Sequence, residues 1–287
     1  MKKIIFTVAI VLVFLAGLTI LTYPYITGYI NSVRQSRVVA QYYRGVETIS
    51  AEEQGNQLDA ARDYNRALAR NGNRFILSEE EMEEYLRILD PLGTGVMGTL
   101  IIDKIDVNLP IYHGTNEGVL RVGAGHLEGT SLPVGGTGTH SVITGHRGLP
   151  TSILLTELDK MEIGDTFMIR VLSETLIYEV DQILVVEPHE MDALAIDREK
   201  DYCTLVTCTP YGINSHRMLV RGVREPGAQP QDEVEEDTTG RQATLQDEAG
   251  TVNSILVAAL VFTPILIIVL IFFGIRVIRL HGRRRTK

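Results

Sequence analysis

The first thirty residues form one apolar stretch. Between Lys3 and Arg34 the chain carries no charge, and residues 4–21 are almost wholly apolar. About 20 such residues suffice for a helix to cross a bilayer, so residues 1–30 are predicted to be an N-terminal membrane anchor. A cleaved signal segment is the alternative. Ala16-Gly17-Leu18 is a poor cleavage site, which favours retention of the segment.

A second apolar stretch, residues 254–275, carries no charge and is predicted to be a transmembrane helix. The following residues, 276–287, form a basic tail with six cations, and such clusters mark the cytoplasmic side of a membrane. Lys2 and Lys3 place the N-terminus on the same side if the first segment is retained. The predicted location is therefore the cell membrane, with an extracellular domain and both termini in the cytoplasm.

Residues 31–94 are predicted to be a helical extension. Residues 51–70 are rich in Ala, Arg, Gln and Leu, and their apolar positions recur at helical spacing. Ser78 precedes three glutamates, which is typical of a helix N-cap with acidic residues in the first turn. This second helix is predicted to run to about Leu89 and to stop at Pro91.

Residues 95–225 change to short apolar runs separated by Gly and Pro clusters. Closely spaced runs of this kind predict a mainly β domain, either a barrel or a sandwich. The runs are residues 98–105, 141–144, 166–171, 175–186, 203–208 and 217–223.

Most of the acidity lies in one segment. The chain has a formal net charge of −9, and residues 225–253 contribute −7, from eight acidic residues and one basic residue. Because they contain prolines and no aromatic residue, residues 226–253 are predicted to be a flexible tether before the second anchor. The acidic balance argues against a nucleic-acid partner, which requires an excess of Lys and Arg.

No metal or cofactor site is predicted. Two cysteines cannot form a disulfide framework or a four-Cys zinc site. The chain has no phosphate-binding Gly loop and no Gly-x-Ser-x-Gly elbow. Four histidines, His113, His126, His140 and His146, are 13, 14 and 6 residues apart, which is not zinc-ligand spacing.

Cys208 is a candidate nucleophile. It ends a predicted strand, because Pro210 cannot continue an interior one, and a thiol entering a loop can be exposed enough to react. A buried, inert cysteine is the alternative. Cys203 faces the opposite way because side chains alternate along a strand, so it is predicted to be a packing residue. A disulfide between the two is disfavoured, since five strand residues span about 16 Å.

A nucleophilic cysteine needs a base or a cation nearby, because a free thiol has a pKa of about 8.5. His146 follows an apolar strand and lies among glycines on a loop that can bend around a substrate. Arg217 begins the next run after a turn at residues 210–212, and a hairpin would return it beside Cys208. Its guanidinium could then stabilise an oxyanion. A packing histidine and a solvated strand-edge arginine are the alternatives.

These segments, in the order His, Cys, Arg, resemble the signature of the sortases, cell-surface cysteine transpeptidases of Gram-positive bacteria. The resemblance covers about residues 95–225. It implies a closed sortase-type β-barrel of about eight strands, with His146, Cys208 and Arg217 as catalytic residues. The matching segments are Thr144-Gly145-His146-Arg147-Gly148, Thr204-Leu205-Val206-Thr207-Cys208 and His216-Arg217-Met218-Leu219-Val220-Arg221-Gly222.

The helical extension and the two predicted transmembrane helices that flank the outer region resemble class C sortases, which polymerise pilins. The resemblance implies that Cys208 cleaves a Leu-Pro-x-Thr-Gly-like sorting signal between Thr and Gly, and that a pilin lysine resolves the thioester. Attachment of surface proteins to an amine of the peptidoglycan precursor is the first alternative. A non-catalytic, membrane-tethered binding or structural domain is the second.

One feature departs from the class C pattern. Many members carry an Asp-Pro-aromatic lid motif before the barrel, whereas here Asp90-Pro91 is followed by Leu92 and lies just before the first barrel strand. The usual lid is therefore not expected. The helical extension either covers the site differently or leaves it open.

Overall fold

The computed structural model describes residues 2–70, 74–149 and 152–225. Helix α1 spans Lys2–Thr48, so the helix assignment includes the predicted boundary at residue 30. Within the described part of the chain, Ile5–Thr48 is long and apolar enough to cross a membrane, with a mean hydropathy of 2.7 in its most apolar window. The predicted tether, second transmembrane helix and basic tail lie outside the described residues.

The domain after residue 95 is a closed barrel of eight strands, as the resemblance implies. The strands are β1 (Val96–Ile102), β2 (Val107–His113), β3 (Ala124–His126), β4 (Thr139–Thr144), β5 (Thr166–Val171), β6 (Glu174–Val186), β7 (Asp201–Thr209) and β8 (His216–Arg224). Around the barrel they follow the order β1-β2-β3-β4-β7-β8-β6-β5. The β2–β3 and β4–β7 pairs are parallel, and the other pairs are antiparallel.

Two strands fall outside the six predicted runs. β3 has only three residues, which is too short for an alternating pattern to be visible. β2 contains Pro110, which pairs with Thr99 of β1, and a proline argues against an interior strand.

The barrel interior is the main core of the protein. Every strand supplies an apolar residue that is completely buried, and burying a large aliphatic side chain stabilises a fold by about 1.5–3 kcal/mol. These residues are Leu100, Ile111, Ala124, Ile143, Ile169, Tyr178, Leu205 and Val220.

The helical extension packs on the barrel through buried polar anchors as well as apolar contacts. Its helices α2 (Ala51–Leu68) and α3 (Glu79–Arg87) begin where the sequence predicts, and α3 opens with a capping box at Ser78. Asn65 of α2 exchanges two hydrogen bonds with the backbone of Leu132, at 2.7 and 3.0 Å. These bonds fix the extension against the barrel wall.

Candidate active site

Cys208 and Arg217 lie directly opposite each other on neighbouring strands. They are register partners in the antiparallel β7–β8 pair. Opposite residues in such a pair point to the same face, with Cβ atoms about 4.5–5.5 Å apart. Both side chains are half-buried, so thiol and guanidinium share a partly solvated surface.

The guanidinium of Arg217 is held in place by backbone carbonyls. Its Nη1 donates hydrogen bonds to Asn214 O at 3.3 Å and to His216 O at 3.1 Å. A donor that is already oriented does not have to reorganise when charge develops beside it.

His146 reaches the same end of the barrel through the parallel β4–β7 pair. Thr144 is the register partner of Val206, and beyond it the Gly145 N–H donates to Val206 O at 3.0 Å. The Thr207 hydroxyl donates to Gly145 O at 2.8 Å. The pairing therefore continues past the end of β4 and brings His146 level with Cys208.

The loop after β4 positions His146 through contacts to its backbone and to its two neighbours in the sequence. A Cβ on Gly145 would come within 2.9 Å of the Leu155 side chain, so a larger residue here would displace that leucine. The Leu155 N–H donates to His146 O at 3.2 Å. Arg147 pairs with Asp159 and donates to Thr209 Oγ1 at 3.4 Å, which ties the histidine loop to the end of β7.

A carboxylate that sequence reasoning missed also lies beside His146. Oε2 of Glu117, on the short helix α4 (Glu117–Leu120), is 3.4 Å from His146 Nε2. Glu117 precedes His146 by 29 positions and belongs to no motif. Only the pairing of β3 with β4 brings them together, and no local pattern reports that pairing.

An apolar strip runs along the outer face of the barrel towards Cys208. Its floor is Val142 of β4, Val206 of β7 and Leu219 of β8, which form a cluster separate from the barrel interior. Leu194, in the connection between β6 and β7, packs on this floor. Cys208 and Arg217 lie two positions beyond Val206 and Leu219 on their strands, and therefore on the same face.

Hydrogen bonds from two side chains hold the β6–β7 connection over this strip. His140 Nδ1 lies 2.8 Å from Ala195 O, and its Nε2 lies 2.7 Å from Thr204 Oγ1. Burial lowers the pKa of His140 to about 4, so the neutral ring donates from Nδ1 and accepts from the hydroxyl at Nε2. Arg74, from the loop between α2 and α3, donates from Nη2 to Leu194 O at 2.7 Å.

Comparisons with known proteins identify the family of the chain. A sortase domain model matches residues 100–225. Sortase C1 from Streptococcus agalactiae is 44% identical, with a TM-score of 0.65 over 67% of this chain and 100% of that one. The chain belongs to the sortase family. Sortases are cysteine transpeptidases, so the non-catalytic alternative is wrong.

Two further relatives show the range of the family. A Streptococcus pneumoniae sortase C, reported with insights into pilin substrate specificity, is 42% identical, with a TM-score of 0.60 over 68% of this chain and 100% of that one. Sortase D of Bacillus subtilis is 27% identical over 130 residues, or 44% of this chain and 63% of that protein. The chain thus spans less than two thirds of that last relative.

The second cysteine of this sortase occupies a different environment. Cys203 is completely buried in the core of the barrel, beside Leu205. Burial raises the pKa of its thiol well above the ordinary value, which disfavours the reactive thiolate. Cys208, on the outer face, is partly exposed.

The Asp-Pro segment of this sortase packs on α1. A Cβ on Gly45 of α1 would come within 2.5 Å of Leu92, so the leucine sits directly on this helix. Asp90 Oδ1 accepts a hydrogen bond from Thr94 N at 2.8 Å and closes a local turn. Another part of the extension, around Arg74, touches the rim of the strip instead.

Proposed function

We propose that this protein is a membrane-anchored transpeptidase that cleaves a Leu-Pro-x-Thr-Gly-like sorting signal and joins it to a pilin lysine. One observation carries the proposal. Cys208 lies across from Arg217 and level with His146, at the end of an apolar strip on the outer face. The strip offers a surface for the Leu and Pro of the signal. If these two residues bind there, the Thr–Gly bond reaches the end of the strip, where Cys208, Arg217 and His146 lie.

In the first step, the thiolate of Cys208 attacks the threonine carbonyl carbon. The carbonyl oxygen becomes an oxyanion, which Arg217 stabilises with donors held near the start of β8. Protonated His146 then gives its proton to the glycine nitrogen as the C–N bond breaks. The products are a thioester on Cys208 and a free glycine amine.

In the second step, an amine attacks the thioester. Neutral His146 accepts a proton from the attacking amine, and Arg217 again stabilises the oxyanion. The C–S bond breaks, and Cys208 leaves as a thiolate. The new bond is an isopeptide bond if the amine is a lysine side chain.

The pilin lysine is favoured over a peptidoglycan amine by the architecture. The helical extension packs on the barrel through Asn65, and sortase C proteins of two streptococci match across almost their whole length. An amine of the peptidoglycan precursor is the second candidate acceptor, because the chemistry at Cys208 is the same for both.

The test uses the full-length protein in detergent micelles, with purified pilin and a Leu-Pro-x-Thr-Gly peptide. We expect mass spectrometry to find an isopeptide bond between the peptide's threonine and a pilin lysine. His146→Ala and Cys208→Ala, assayed in parallel, should give no such product. Product formed only with a peptidoglycan-type amine would favour the second acceptor, and product from Cys208→Ala would contradict the mechanism.

A further inference from the structure

The contact between Glu117 and His146 is not part of the sortase signature described above. The two side chains meet at 3.4 Å, and they are 61% and 25% exposed. The Nε2 atom of His146 is itself buried and makes no aligned hydrogen bond to any residue in the described ranges. The carboxylate is therefore an ion-pair partner for a ring nitrogen that otherwise lacks one.

The backbone holds Glu117 at this position independently of the histidine. Helix α4 lies between β2 and β3, and Gly125 of β3 pairs with Thr144 at the end of β4. A Cβ on Gly125 would come within 3.2 Å of both Leu120 and Val119, so α4 packs closely on this strand. The helix thus lies next to the strand end from which His146 projects.

Arg121 orients the carboxylate. Its Nε donates to Glu117 Oε1 at 2.9 Å, while Oε2 is the oxygen that faces His146. The pKa of Glu117 is lowered, first by the hydrogen bond from Arg121 and also by the charge of His146. Glu117 is therefore a carboxylate whenever His146 is required to act.

Other charged and titratable groups belong to the elements around His146. Those of the loop after β4 already pair with each other, since Arg147 contacts Asp159. Of the remaining groups near the ring, Glu117 is the carboxylate in ion-pair contact with it. These groups include Glu117 and Arg121 of α4, Glu128 after β3, Arg147, Glu157, Asp159 and Lys160 after β4, and Cys208, His216 and Arg217 of the β7–β8 hairpin.

We propose that Glu117 is a positioning residue of the active site, whose carboxylate holds the His146 ring and stabilises its imidazolium form. The proposal rests on the proposed function, in which protonated His146 gives its proton to the leaving amine. The substrate does not need to touch Glu117. The carboxylate acts by keeping the imidazolium populated and turned towards the reacting atoms.

The sign of the pH effect follows from charge. A carboxylate beside the ring favours imidazolium, so its removal allows the ring to lose its proton at lower pH. The basic limb of the pH–rate profile should therefore move to lower pH. An exposed ion pair contributes little, so turnover above that limb should fall only about threefold, with KM unchanged.

The test compares Glu117→Gln, Glu117→Asp and Glu83→Gln in the full-length protein. Glu83 is an exposed residue of α3, so its substitution makes the same change in net charge on a different helix. An NMR titration of histidine-labelled protein follows His146, which is assigned from the spectrum of His146→Ala. We expect a lower midpoint in Glu117→Gln, partial recovery in Glu117→Asp and no displacement in Glu83→Gln.

The NMR readout separates this proposal from the proposed function, because it requires no turnover. An unchanged midpoint in Glu117→Gln overturns the role of Glu117, whatever the activity. A displaced midpoint without any product from any sorting peptide would support the ion pair and sink the transpeptidase assignment instead. An equal displacement in Glu83→Gln would show a general charge effect and also overturn the positioning role.

Discussion

The two cysteines lie on opposite faces of strand β7, one buried and one partly exposed. On the inner face, Cys203 and Leu205 pack into the barrel core, and burial raises the pKa of the Cys203 thiol. On the outer face, Val206 joins the apolar strip and Cys208 stays partly exposed opposite Arg217. Alternation of side chains along one strand is enough to separate a packing residue from the proposed nucleophile.

The largest expected effect tests this comparison directly. Cys208→Ala should abolish transpeptidation, since no other group on the outer face of β7 can form the thioester. Cys203→Ala should keep most of the specific activity and lose up to a few kcal/mol of stability, because it removes a buried sulfur from the core. Peptide cleavage assays and thermal unfolding of both variants measure the two effects. Equal loss of activity in both variants, with folding intact, would refute the assignment.

The next effect concerns the cation opposite Cys208. We expect Arg217→Lys to be nearly as damaging as Arg217→Ala, because a lysine ammonium cannot reproduce the fixed donors of a planar guanidinium. Losing one oxyanion donor costs on the order of 10²–10³ in kcat. The measurement is kcat and KM for both variants with a sorting peptide. Near-wild-type kinetics for Arg217→Lys would show that only charge matters at this position.

The residues of the candidate site also differ in how far the sequence could predict them. The hairpin between Cys208 and Arg217 follows from strand length and a turn, which are local features. His146 stands out because glycines surround it. Glu117 could not be found, because its contact depends on pairing between β3 and β4 and on a helix that has only four residues. Sequence patterns report local geometry well and long-range pairing poorly.

A smaller effect concerns the β6–β7 connection, which covers part of the apolar strip on the outer face. Arg74→Ala removes the hydrogen bond to Leu194 O that helps to hold the β6–β7 connection over the apolar strip. We expect KM for the sorting peptide to rise several-fold, with kcat little changed, because the chemistry at Cys208 is untouched. The neighbouring exposed residue Arg70 supplies the control, Arg70→Ala. If both variants kept the wild-type KM, Arg74 would have no role in shaping the strip.

The smallest expected effect concerns Asp90-Pro91-Leu92. This segment leads into β1, which lies four strands from β7 in either direction around the closed barrel. Leu92 packs on Gly45 of α1, and Asp90 caps its own turn at Thr94. A lid would have to cross to the opposite wall of the barrel to reach the thiol. The segment therefore cannot shield Cys208 from its present position.

We accordingly expect Asp90→Ala to change the rate of thiol labelling at Cys208 by less than a factor of two. The substitution removes one exposed turn hydrogen bond and should lower the free energy of unfolding by only about 1 kcal/mol. Cys203 supplies an internal control, because a thiol inside the barrel reacts only when the barrel opens. A several-fold increase at Cys208 with Cys203 still protected would mean that the Asp-Pro segment acts as a lid after all. An increase at both thiols would instead show that the substitution unfolds the barrel. The expectation that the Asp-Pro segment leaves Cys208 uncovered in the native protein would then stand.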